Sequence, residues 1–430
     1  MQESPENEHS TSLKRDLRDP VLNSLSGVQR ILMNSTERSI LTINSGSSSI
    51  KFSIYRMGSA AERVVRGSLE RIGLESGHFR VQDSAGRVLA EAQREMPDHE
   101  TALEQLFEWL NSNGAARSLT AIGHRIVHGG PEYSEPQRIT QRVIERLQEL
   151  ISFAPEHLPH QVKAIEIATR RHPDLPQVAC FDTAFHHGMP AVSRYFPLPR
   201  ALRAEGLVRY GFHGLSYSYI LGELAREAGG AAATGRIVIA HLGNGCSMAA
   251  VKNGKSVDTT MGFTPTGGLV MGTRSGDLDP GLVLHLLEAR GIDTAALRHL
   301  LNRESGLIGV SQISSDMQDL LRHEAANAQA AEAIALFCYQ AKKFLAAMAA
   351  ALGGLDTLVF TAGIGENAPS IRERICEGLE FFGIRVDRER NRGGEAVISA
   401  AGSPVTVRVM RTDEEIMLAR LTNAVLNQAK

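Results

Sequence analysis

The sequence predicts an α/β protein made of two similar halves with a cleft between them. Short runs rich in β-branched residues alternate with longer runs of helical periodicity, which is the pattern of α/β folds. The pattern starts again near residue 236. Each half opens with two strands joined by a polar turn, NSGSSS at 44–49 and LGNGCS at 242–247. This coarse duplication predicts that the two turns face each other.

Length and composition fit an ordinary soluble globular chain. The 430 residues are 43% hydrophobic and 22% charged, which allows two or three domains. The formal net charge of -2 predicts no nucleic-acid surface. No apolar run reaches the ~18 residues of a membrane span, and the N-terminus lacks the apolar core of a signal peptide. The cysteines are far apart and form no C-x-x-C pair, which argues against zinc and disulfides and favours a cytoplasmic setting.

Residues 1–37 are polar, and we expect a flexible extension with one short helix at 16–32. The N-terminal α/β domain, 38–186, is predicted to begin with a hairpin and a meander. Its strand-like runs are SILTINSG, SIKFSIYR, RVVRGSLE, HFRVQDS, LTAIGHRIVHGG and LPQVACFDTAFH. Its helical runs are HETALEQLFEWLNSNG, with Leu103, Leu106, Phe107 and Leu110 on one face, and ITQRVIERLQELISFAPE.

The C-terminal α/β domain, 187–416, is predicted to open with three strands in GRIVIAHLGNGCSMAAVKNGKSVDTT. Helices are expected at 279–289 and 325–351. The run LDTLVFTAGIGEN is expected to be a strand with a glycine turn, SIRERICEGLEFFG a helix, and GIRVD and VTVRVMRTDEE strands. A C-terminal helix, 417–430, is expected to pack back on the first domain.

The turn NSGSSS indicates a phosphate site. A tight turn of Gly, Ser and Asn exposes consecutive backbone N–H groups that bind anions, and the hydroxyls and Lys51 add donors and a charge. Two such turns could hold a polyphosphate from both sides. Taken alone, a serine-rich loop is more often a simple hairpin loop. The turns HLGNG and GIGEN shift the balance towards binding.

Two other nucleotide motifs have to be weighed. NGKS at 253–256 resembles the end of a Walker A loop, but the required first glycine would fall at Ala249, so the match fails. Gly363 to Ala368 fits G-x-G-x-x-A between a strand and a helix, and Asp387 stands where a ribose-binding acid is expected. A nicotinamide dehydrogenase therefore stays open, although it gives the other two turns no role.

Nine motifs occur in order between about 39 and 421 and resemble the acetate/propionate kinase family. They are LTINSGSSSIKF, GHRIVHGG, FDTAFH, RYGFHG, HLGNGCS, MGFTPTGGLVMGTRSGDLDP, SSD, FTAGIGEN and TDEE. The resemblance implies the duplicated two-domain fold of actin and the sugar kinases, with a central nucleotide cleft. It also implies reversible transfer of the ATP γ-phosphoryl group to acetate or another short carboxylate, with Mg²⁺ (Mn²⁺ as an alternative), in a cytoplasmic homodimer.

The resemblance implies catalytic roles for four residues. Arg125 and Arg274 would face the carboxylate and the transferring phosphoryl group. His213 would stabilise the transition state, and Asp182 would act as a general base or as an orienting group. We favour the orienting role because a carboxylate substrate has no proton to lose at pH 7. Without the resemblance, the arginines could be surface ion pairs, His213 structural and Asp182 a helix N-cap.

The other implied residues form three groups. Asn44 and Glu414 would bind Mg²⁺ largely through water, although TDEE could also be the acidic first turn of a helix. Val127 and Pro265 would line the acyl pocket with Arg125. The nucleotide would be bound by Ser47, Ser49, Lys51, His241, Leu242, Gly243, Asn244, Gly245, Asp316, Met317, Gln318, Gly363, Ile364, Gly365, Glu366 and Asn367.

Several positions depart from the usual motifs of the family. Gln318 replaces an arginine expected beside the adenine, which leaves nucleotide affinity and base preference open. Glu156 replaces an apolar residue near the acyl pocket, Thr266 belongs to an altered loop beside it, and Tyr217 stands where a histidine is frequent. A non-catalytic relative that binds nucleotide or acyl phosphate is therefore a further alternative.

Overall fold

The computed structural model describes residues 37–428, so the expected helix at 16–32 lies outside the described residues. The first sheet has the strand order β5-β4-β3-β2-β1-β6-β8-β7. Its strands are β1 Arg38–Ser45, β2 Ser49–Met57, β3 Ala61–Glu70, β4 Gly77–Asp83, β5 Val88–Arg94, β6 Leu119–Ile126, β7 Gln137–Arg138 and β8 Gln177–Phe181. Its helices are α1 His99–Ser112, α2 Gln141–Glu149 and α3 Leu158–Arg171.

The second sheet has the order β11-β10-β9-β12-β13. Its strands are β9 Arg236–Leu242, β10 Cys246–Lys252, β11 Lys255–Thr259, β12 Thr357–Thr361 and β13 Thr406–Val409. The helices that follow α3 in the chain are α4 Ala191–Arg194, α5 Arg200–Ala204, α6 Gly214–Ala228, α7 Gly230–Thr234, α8 Pro280–Glu288, α9 Thr294–His299, α10 Gly306–Ser311, α11 Met317–His323, α12 Ala328–Leu352, α13 Ala362–Asn367, α14 Pro369–Cys376, α15 Arg388–Arg392 and α16 Glu414–Gln428.

The two sheets repeat one topology, which confirms the predicted duplication. In the first sheet, β2 is antiparallel to both β1 and β3, while β6 and β8 follow β1 in parallel. In the second sheet, β10 is antiparallel to β9 and β11, while β12 is parallel to both β9 and β13. Because parallel neighbours end at the same edge of a sheet, the loops after β6, β8, β9 and β12 are available for a site.

Helix α1 forms where the apolar periodicity predicts a buried face. Asp98 caps α1 by accepting a hydrogen bond from the Thr101 N–H, and the predicted face of Leu103, Leu106, Phe107 and Leu110 is fully buried. By length and composition alone, α12 is a helix of the described residues that could cross a membrane. Its residues from Ala330 to Leu352 contribute to the core of the second half, which accounts for their apolar character.

Helix α16 starts at Glu414, three residues before the predicted 417, and it packs on β1, β2, β6 and β8. Leu418, Ala419 and Thr422 are buried there. Gly123 of β6 permits this close contact, since a Cβ at 123 would lie 2.3 Å from Thr422 Oγ1. Helix α16 therefore packs against the first sheet and brings Glu414 to its edge.

Some predicted elements are wrong. GIGEN is the helix α13 and not a glycine turn, and SIRERIC ends as α14 at Cys376 because Gly378 takes a positive φ of 76°. GIRVD is no strand, since Val386 makes only an isolated bridge to Ser399, and Asp387 caps α15. The sequence reading also missed β5, an edge strand whose residues are all at least partly exposed and which therefore lacks the apolar alternation of a core strand.

Candidate active site

The parallel pair β6 and β8 brings Arg125 and Asp182 together at the floor of a cleft. Arg125 donates from Nε and Nη2 to Asp182 Oδ2 at 3.0 and 2.6 Å. Its Nη1 lies 3.1 Å from Glu414 Oε2 and 3.4 Å from Asn44 Oδ1. Although burial favours the neutral guanidine, the charges of Asp182 and Glu414 raise the pKa of Arg125 above its usual value. The site therefore holds a fixed cation.

Asp182 keeps one oxygen free of protein partners. Burial raises the pKa of Asp182 to about 6, Arg125 works against this shift, and Glu414 adds to it. Asp182 Oδ1 is buried without a hydrogen-bond partner in the described part of the chain. Asn44 and Glu414 line the same cavity. Within residues 37–428, no cluster of three His, Cys, Asp or Glu side chains could hold a metal by itself. The oxygen atoms present therefore suit a cation that keeps most of its water.

The serine-rich turn forms one wall of this cavity. Gly46 N–H donates to the Ser49 carbonyl at 2.8 Å, which closes the turn. His99 Nε2 donates to the Gly46 carbonyl at 2.6 Å, so α1 holds the turn in place. The exposed Lys51 lines the cavity together with Ser47 and Ser49. The predicted anion-binding turn is thus part of a larger site.

The turn between β9 and β10 forms the facing wall. His241, Gly243, Asn244 and Gly245 line the cavity, whereas Leu242 is fully buried in the core of the second half. The sequence predicted that Leu242 would line the site. It does not, because the alternation of side chains along the strand turns it towards the core. A Cβ at Gly245 would lie 3.4 Å from Arg274 Nη2 and 3.5 Å from His213 Nε2, so glycine keeps this space open.

His213 occupies a constrained position in front of α6. Its φ of 60° is left-handed, and the next residue, Gly214, donates its N–H to the Asp182 carbonyl at 2.9 Å. Its ring stacks on His241 with the ring centroids 4.2 Å apart. Burial lowers the pKa of His213 well below its usual value, and His241, Arg125 and Arg274 lower it further. His213 is therefore a neutral imidazole at pH 7.

Arg274 faces Arg125 across the cavity. It donates from Nη1 to the Pro265 carbonyl at 2.8 Å, and it forms no ion pair in the part of the chain that the structure describes. Burial lowers the pKa of Arg274, but a guanidinium remains protonated in proteins. A half-buried cation without a carboxylate favours binding of an anion from solution.

The cavity that contains Arg125 and Arg274 is partly apolar. Arg125, Val127 and Pro265 line it as predicted, and the whole cavity has a volume of about 390 Å³. The sequence reading missed His157, Gln161 and Phe212, which also line it. Gln161 accepts from the Val127 N–H at 2.9 Å. Burial and the charges of Arg274 and Arg125 lower the pKa of His157 to about 3. His157 and Phe212 belong to the motifs APEHLP and GFHG, so these motifs could have identified both residues as part of the site.

The residues that depart from the usual motifs each contact another side chain in the structure. Glu156 does not line the cavity and pairs with Arg303 at 3.4 Å, so its charge lies outside this cavity. Thr266 Oγ1 donates to Asn302 Oδ1 at 2.7 Å, which ties the altered loop to a neighbouring segment. The phenol of Tyr217 lies 2.5 Å from Ser247 Oγ.

A second cavity, of about 600 Å³, continues the first because both are lined by Gly243 and Asn244. Its other predicted lining residues are Asp316, Met317, Gln318, Gly363, Ile364 and Asn367. Asp316 caps α11 by accepting from the Gln318 N–H at 2.7 Å. Gly365 and Glu366 do not line it, contrary to the prediction, because they lie on the inner side of α13. Glu366 Oε1 instead accepts from the N–H groups of Ala362 and Thr412 at 2.9 and 3.1 Å.

A larger cavity of about 980 Å³ opens beyond Asn44, Lys51 and Glu414. Its wall carries mixed charges, and Arg63 there is paired with Asp413 at 3.5 Å. Arg125 and Arg274 line only the smaller cavity. We therefore place the chemistry in the smaller one. Two facing glycine turns, two arginines and a continuous path to a second cavity define the class as a two-domain phosphotransferase.

Comparison with known proteins gives the family. Residues 39–420 match the Acetokinase family. Acetate kinase of Rhodopseudomonas palustris is 46% identical over 387 residues, covering 89% of this chain and 96% of that protein. Acetate kinase of Methylocella silvestris is 44% identical over 402 residues, covering 91% and 98%. The chain therefore belongs to the acetokinase family.

Solved structures of acetate and propionate kinases have the same fold as this chain. Acetate kinase of Porphyromonas gingivalis has a TM-score of 0.82 and 38% identity, covering 90% of this chain and all of that one (100%). A propionate kinase from Francisella tularensis has a TM-score of 0.84 and 35% identity, covering 89% and 98%. The predicted two-domain kinase fold is confirmed, and the chain is a kinase. The dehydrogenase alternative is wrong, since G-x-G-x-x-A is here part of a kinase cleft.

Proposed function

We propose that this enzyme is an acetate kinase, which reversibly transfers the γ-phosphoryl group of ATP to acetate and forms acetyl phosphate and ADP. The observation that carries the proposal is the position of Arg125 and Arg274 around one small cavity between two anion-binding turns. Both reactants are anions, so their encounter needs cations that orient them and screen their repulsion. Arg125 and Arg274 supply those charges, and Arg274 has no ion-pair partner within residues 37–428.

Each side chain has a definite part in this reaction. Arg125, held by Asp182, binds the carboxylate, and Arg274 stabilises the charge of the phosphoryl group in transit. The neutral imidazole of His213 donates a hydrogen bond to the same group. Asp182 acts as an orienting residue. The carboxylate of acetate is already ionised at pH 7, so no base is needed to generate the nucleophile.

We propose Mg²⁺, with Mn²⁺ as an alternative, as the metal. Asn44, Glu414 and the free Oδ1 of Asp182 would hold its hydration shell, and the ion would neutralise charge on the phosphates. The orphaned buried oxygen is the observation that favours this assignment. Ser47, Ser49 and Lys51 would contact the β- and γ-phosphates, and His241, Gly243, Asn244 and Gly245 would face them.

The adenosine would occupy the second cavity, between Gln318 and Gly363. The acid is proposed to have two or three carbons, since the apolar lining of the cavity, within the described residues, consists of Val127, Phe212 and Pro265. Propionate is the alternative acceptor, and the similarity to a solved propionate kinase favours keeping it.

We propose a homodimer in the cytoplasm. Helix α8 has no buried residue although it contains Leu282 and Leu284, which are 44% and 54% exposed. A second copy of the chain would cover this apolar surface. All four cysteines are buried free thiols, as suits a reducing compartment. Sedimentation of wild-type protein and of Leu284→Glu tests the dimer: a monomeric wild-type protein would exclude it.

The reaction is tested by trapping acyl phosphate with hydroxylamine. Folded protein is supplied with Mg-ATP or Mg-GTP and with acetate, propionate, butyrate or 2-oxobutyrate. We expect hydroxamate with ATP and acetate, and a smaller or equal yield with propionate. Trapping with propionate alone would change the assigned substrate. No product with any acid or donor would indicate the non-catalytic relative instead.

A further inference from the structure

A buried chain of hydroxyl groups ends on His213. Tyr217 Oη lies 2.5 Å from Ser247 Oγ, and Ser247 Oγ lies 2.8 Å from His213 Nδ1. Tyr217 and Ser247 are fully buried. Tyr217 is on α6, one turn after His213, and Ser247 is on β10 opposite His241. The chain thus joins the helix that starts at His213 to the wall of the cleft.

The direction of the hydrogen bonds in this chain follows from counting donors and acceptors. Among the described residues, Ser247 is the only hydrogen-bond partner of the Tyr217 phenol. A buried phenol that donates to no acceptor loses its hydrogen bond to water without compensation. Tyr217 therefore donates to Ser247 Oγ, and burial, which raises the pKa of the phenol, keeps its proton on. Ser247 must then donate its single proton to His213 Nδ1.

A neutral imidazole that accepts at Nδ1 carries its proton on Nε2. His213 Nε2 is the nitrogen that lies at the space kept open by Gly245, beside Arg274 Nη2. The opposite direction would make Nε2 an acceptor, and its lone pair would then face the anionic group in transit. Only one direction of the chain thus produces a useful donor in the cleft.

The backbone of His213 is held from the other side as well. His186 Nε2 donates to the Phe212 carbonyl at 3.1 Å, and His186 Nδ1 lies 2.8 Å from Ser256 Oγ. Gly211 takes a positive φ of 73°, and a Cβ there would lie 2.6 Å from the His186 ring. The left-handed backbone of His213 is therefore fixed in place. The hydroxyl chain then determines which ring nitrogen of His213 carries the proton.

We infer that Tyr217 and Ser247 are positioning residues that fix His213 as the Nε2–H tautomer, so that it donates to the phosphoryl group during transfer. This inference rests on the proposed kinase function for its consequence, but the tautomer itself is a property of the free enzyme. It assigns a role to Tyr217, which stands where the sequence motif usually has a histidine. An imidazole N–H could donate to Ser247 in the same way as the phenol.

The test has a spectroscopic and a kinetic part. The protein is labelled with ¹⁵N-histidine, and the His213 signals are assigned with His213→Gln. We expect wild-type His213 to show a protonated Nε2 and an unprotonated Nδ1 at pH 7 without substrates. Tyr217→Phe and Ser247→Ala should convert this signature to a mixture or to the Nδ1–H form, and should lower kcat about 10-fold with little change in either KM.

Tyr219→Phe is the matched control, because it removes a phenol from the same helix outside the hydroxyl chain. It should leave both the tautomer and kcat unchanged. An Nδ1–H tautomer in the wild-type protein would overturn the inference, and so would a Tyr217→Phe protein that keeps the Nε2–H signature and normal kcat. Ser247→Ala decides the matter if Tyr217→Phe does not fold. A wild-type protein without kinase activity would refute the proposed function and leave the tautomer measurement valid.

Discussion

Asp182 holds the guanidinium of Arg125 with a single oxygen. Nε and Nη2 of Arg125 donate to Asp182 Oδ2 at 3.0 and 2.6 Å, while Oδ1 is buried without a partner among the described residues. One carboxylate thus orients a cation with one oxygen and offers the other to the cleft. This geometry supports an orienting role for Asp182, because its Oδ2 fixes the guanidinium of Arg125 and a carboxylate substrate has no proton for a base to remove.

Arg274→Ala is expected to reduce kcat by ~10²-fold or more, the scale seen when one donor to a transition state is lost. The variant removes a cation that has no carboxylate partner in the described part of the chain, so the phosphoryl group would lose a positive charge that stabilises it. The measurement is the steady-state rate of acyl phosphate formation. Arg303→Ala is the matched control, because Arg303 is 41% exposed, pairs with Glu156 and lies outside the cavity. It should change the rate less than ~3-fold. Equal effects of both variants would contradict the role of Arg274.

Gln318→Arg is expected to strengthen binding of the nucleotide. Gln318 lines the second cavity at the start of α11, where a guanidinium could stack on the base. A partly exposed cation–π contact is worth ~0.5–1 kcal/mol, so KM for ATP should fall about 2–5-fold at constant kcat. Gln318→Lys, which adds the charge without the planar group, should produce a smaller change. An unchanged KM in both variants would place the base elsewhere.

The buried histidines predict loss of stability in acid. Burial lowers the pKa of each of four histidines to about 4: His124, His128, His186 and His241. In the unfolded chain they titrate near 6.5. Between these values the unfolded state binds more protons, so stability is fully present above pH 6.5 and is lost as the pH falls towards 4. Burial raises the pKa of Asp182, Asp258 and Glu415, which act in the opposite direction, but the histidines with a lowered pKa outnumber them.

The urea midpoint measured between pH 7 and 5 checks this expectation. It should fall steadily as the pH is lowered. His124→Gln should reduce the slope, because it removes one titrating group that contacts Gln177 and does not line the cleft. A midpoint independent of pH over this range would contradict the assignment of these histidines as buried neutral groups.

Arg372→Met is expected to destabilise the second half. Arg372 is 1% exposed. Its guanidinium donates to the carbonyls of Gly365 and Glu366, and to both the Oδ1 and the backbone carbonyl of Asn391. Its loss would leave several buried acceptors without donors, at a cost of about 3 kcal/mol in the free energy of unfolding. Arg374→Met, two residues further on, removes only a partly exposed ion pair with Glu324 and should cost about 1 kcal/mol or less. Equal urea midpoints for the two variants would contradict this account.

Sequence periodicity predicted part of the architecture, although it missed α3 and α6, each of which buries one face. The apolar face of α1 and the two opening hairpins followed from local pattern alone. The edge strand β5 did not, because it has no buried face. GIGEN was misread since glycine-rich segments usually form turns, whereas here Glu366 satisfies the first N–H of α13 and lets a helix begin.

The sequence predicted the main residues of the site but not the contacts between them. Motifs led to Arg125, Asp182, His213 and Arg274, which the fold brings around one cavity. The sequence could not show that Glu156 turns outward, because its partner Arg303 is 147 residues away in the chain. The same holds for the contact between Tyr217 and Ser247, which depends on how α6 packs against β10. Contacts of this kind require the tertiary structure.

The most direct test of the central claim is a ³¹P NMR time course with Mg-ATP and acetate. If the cleft transfers a phosphoryl group to a carboxylate, the γ-phosphate signal of ATP will be replaced by that of acetyl phosphate in the wild-type protein, and this conversion will nearly stop in Arg125→Ala. Formation of inorganic phosphate and ADP without acetyl phosphate, or an equal rate in Arg125→Ala, would contradict the account.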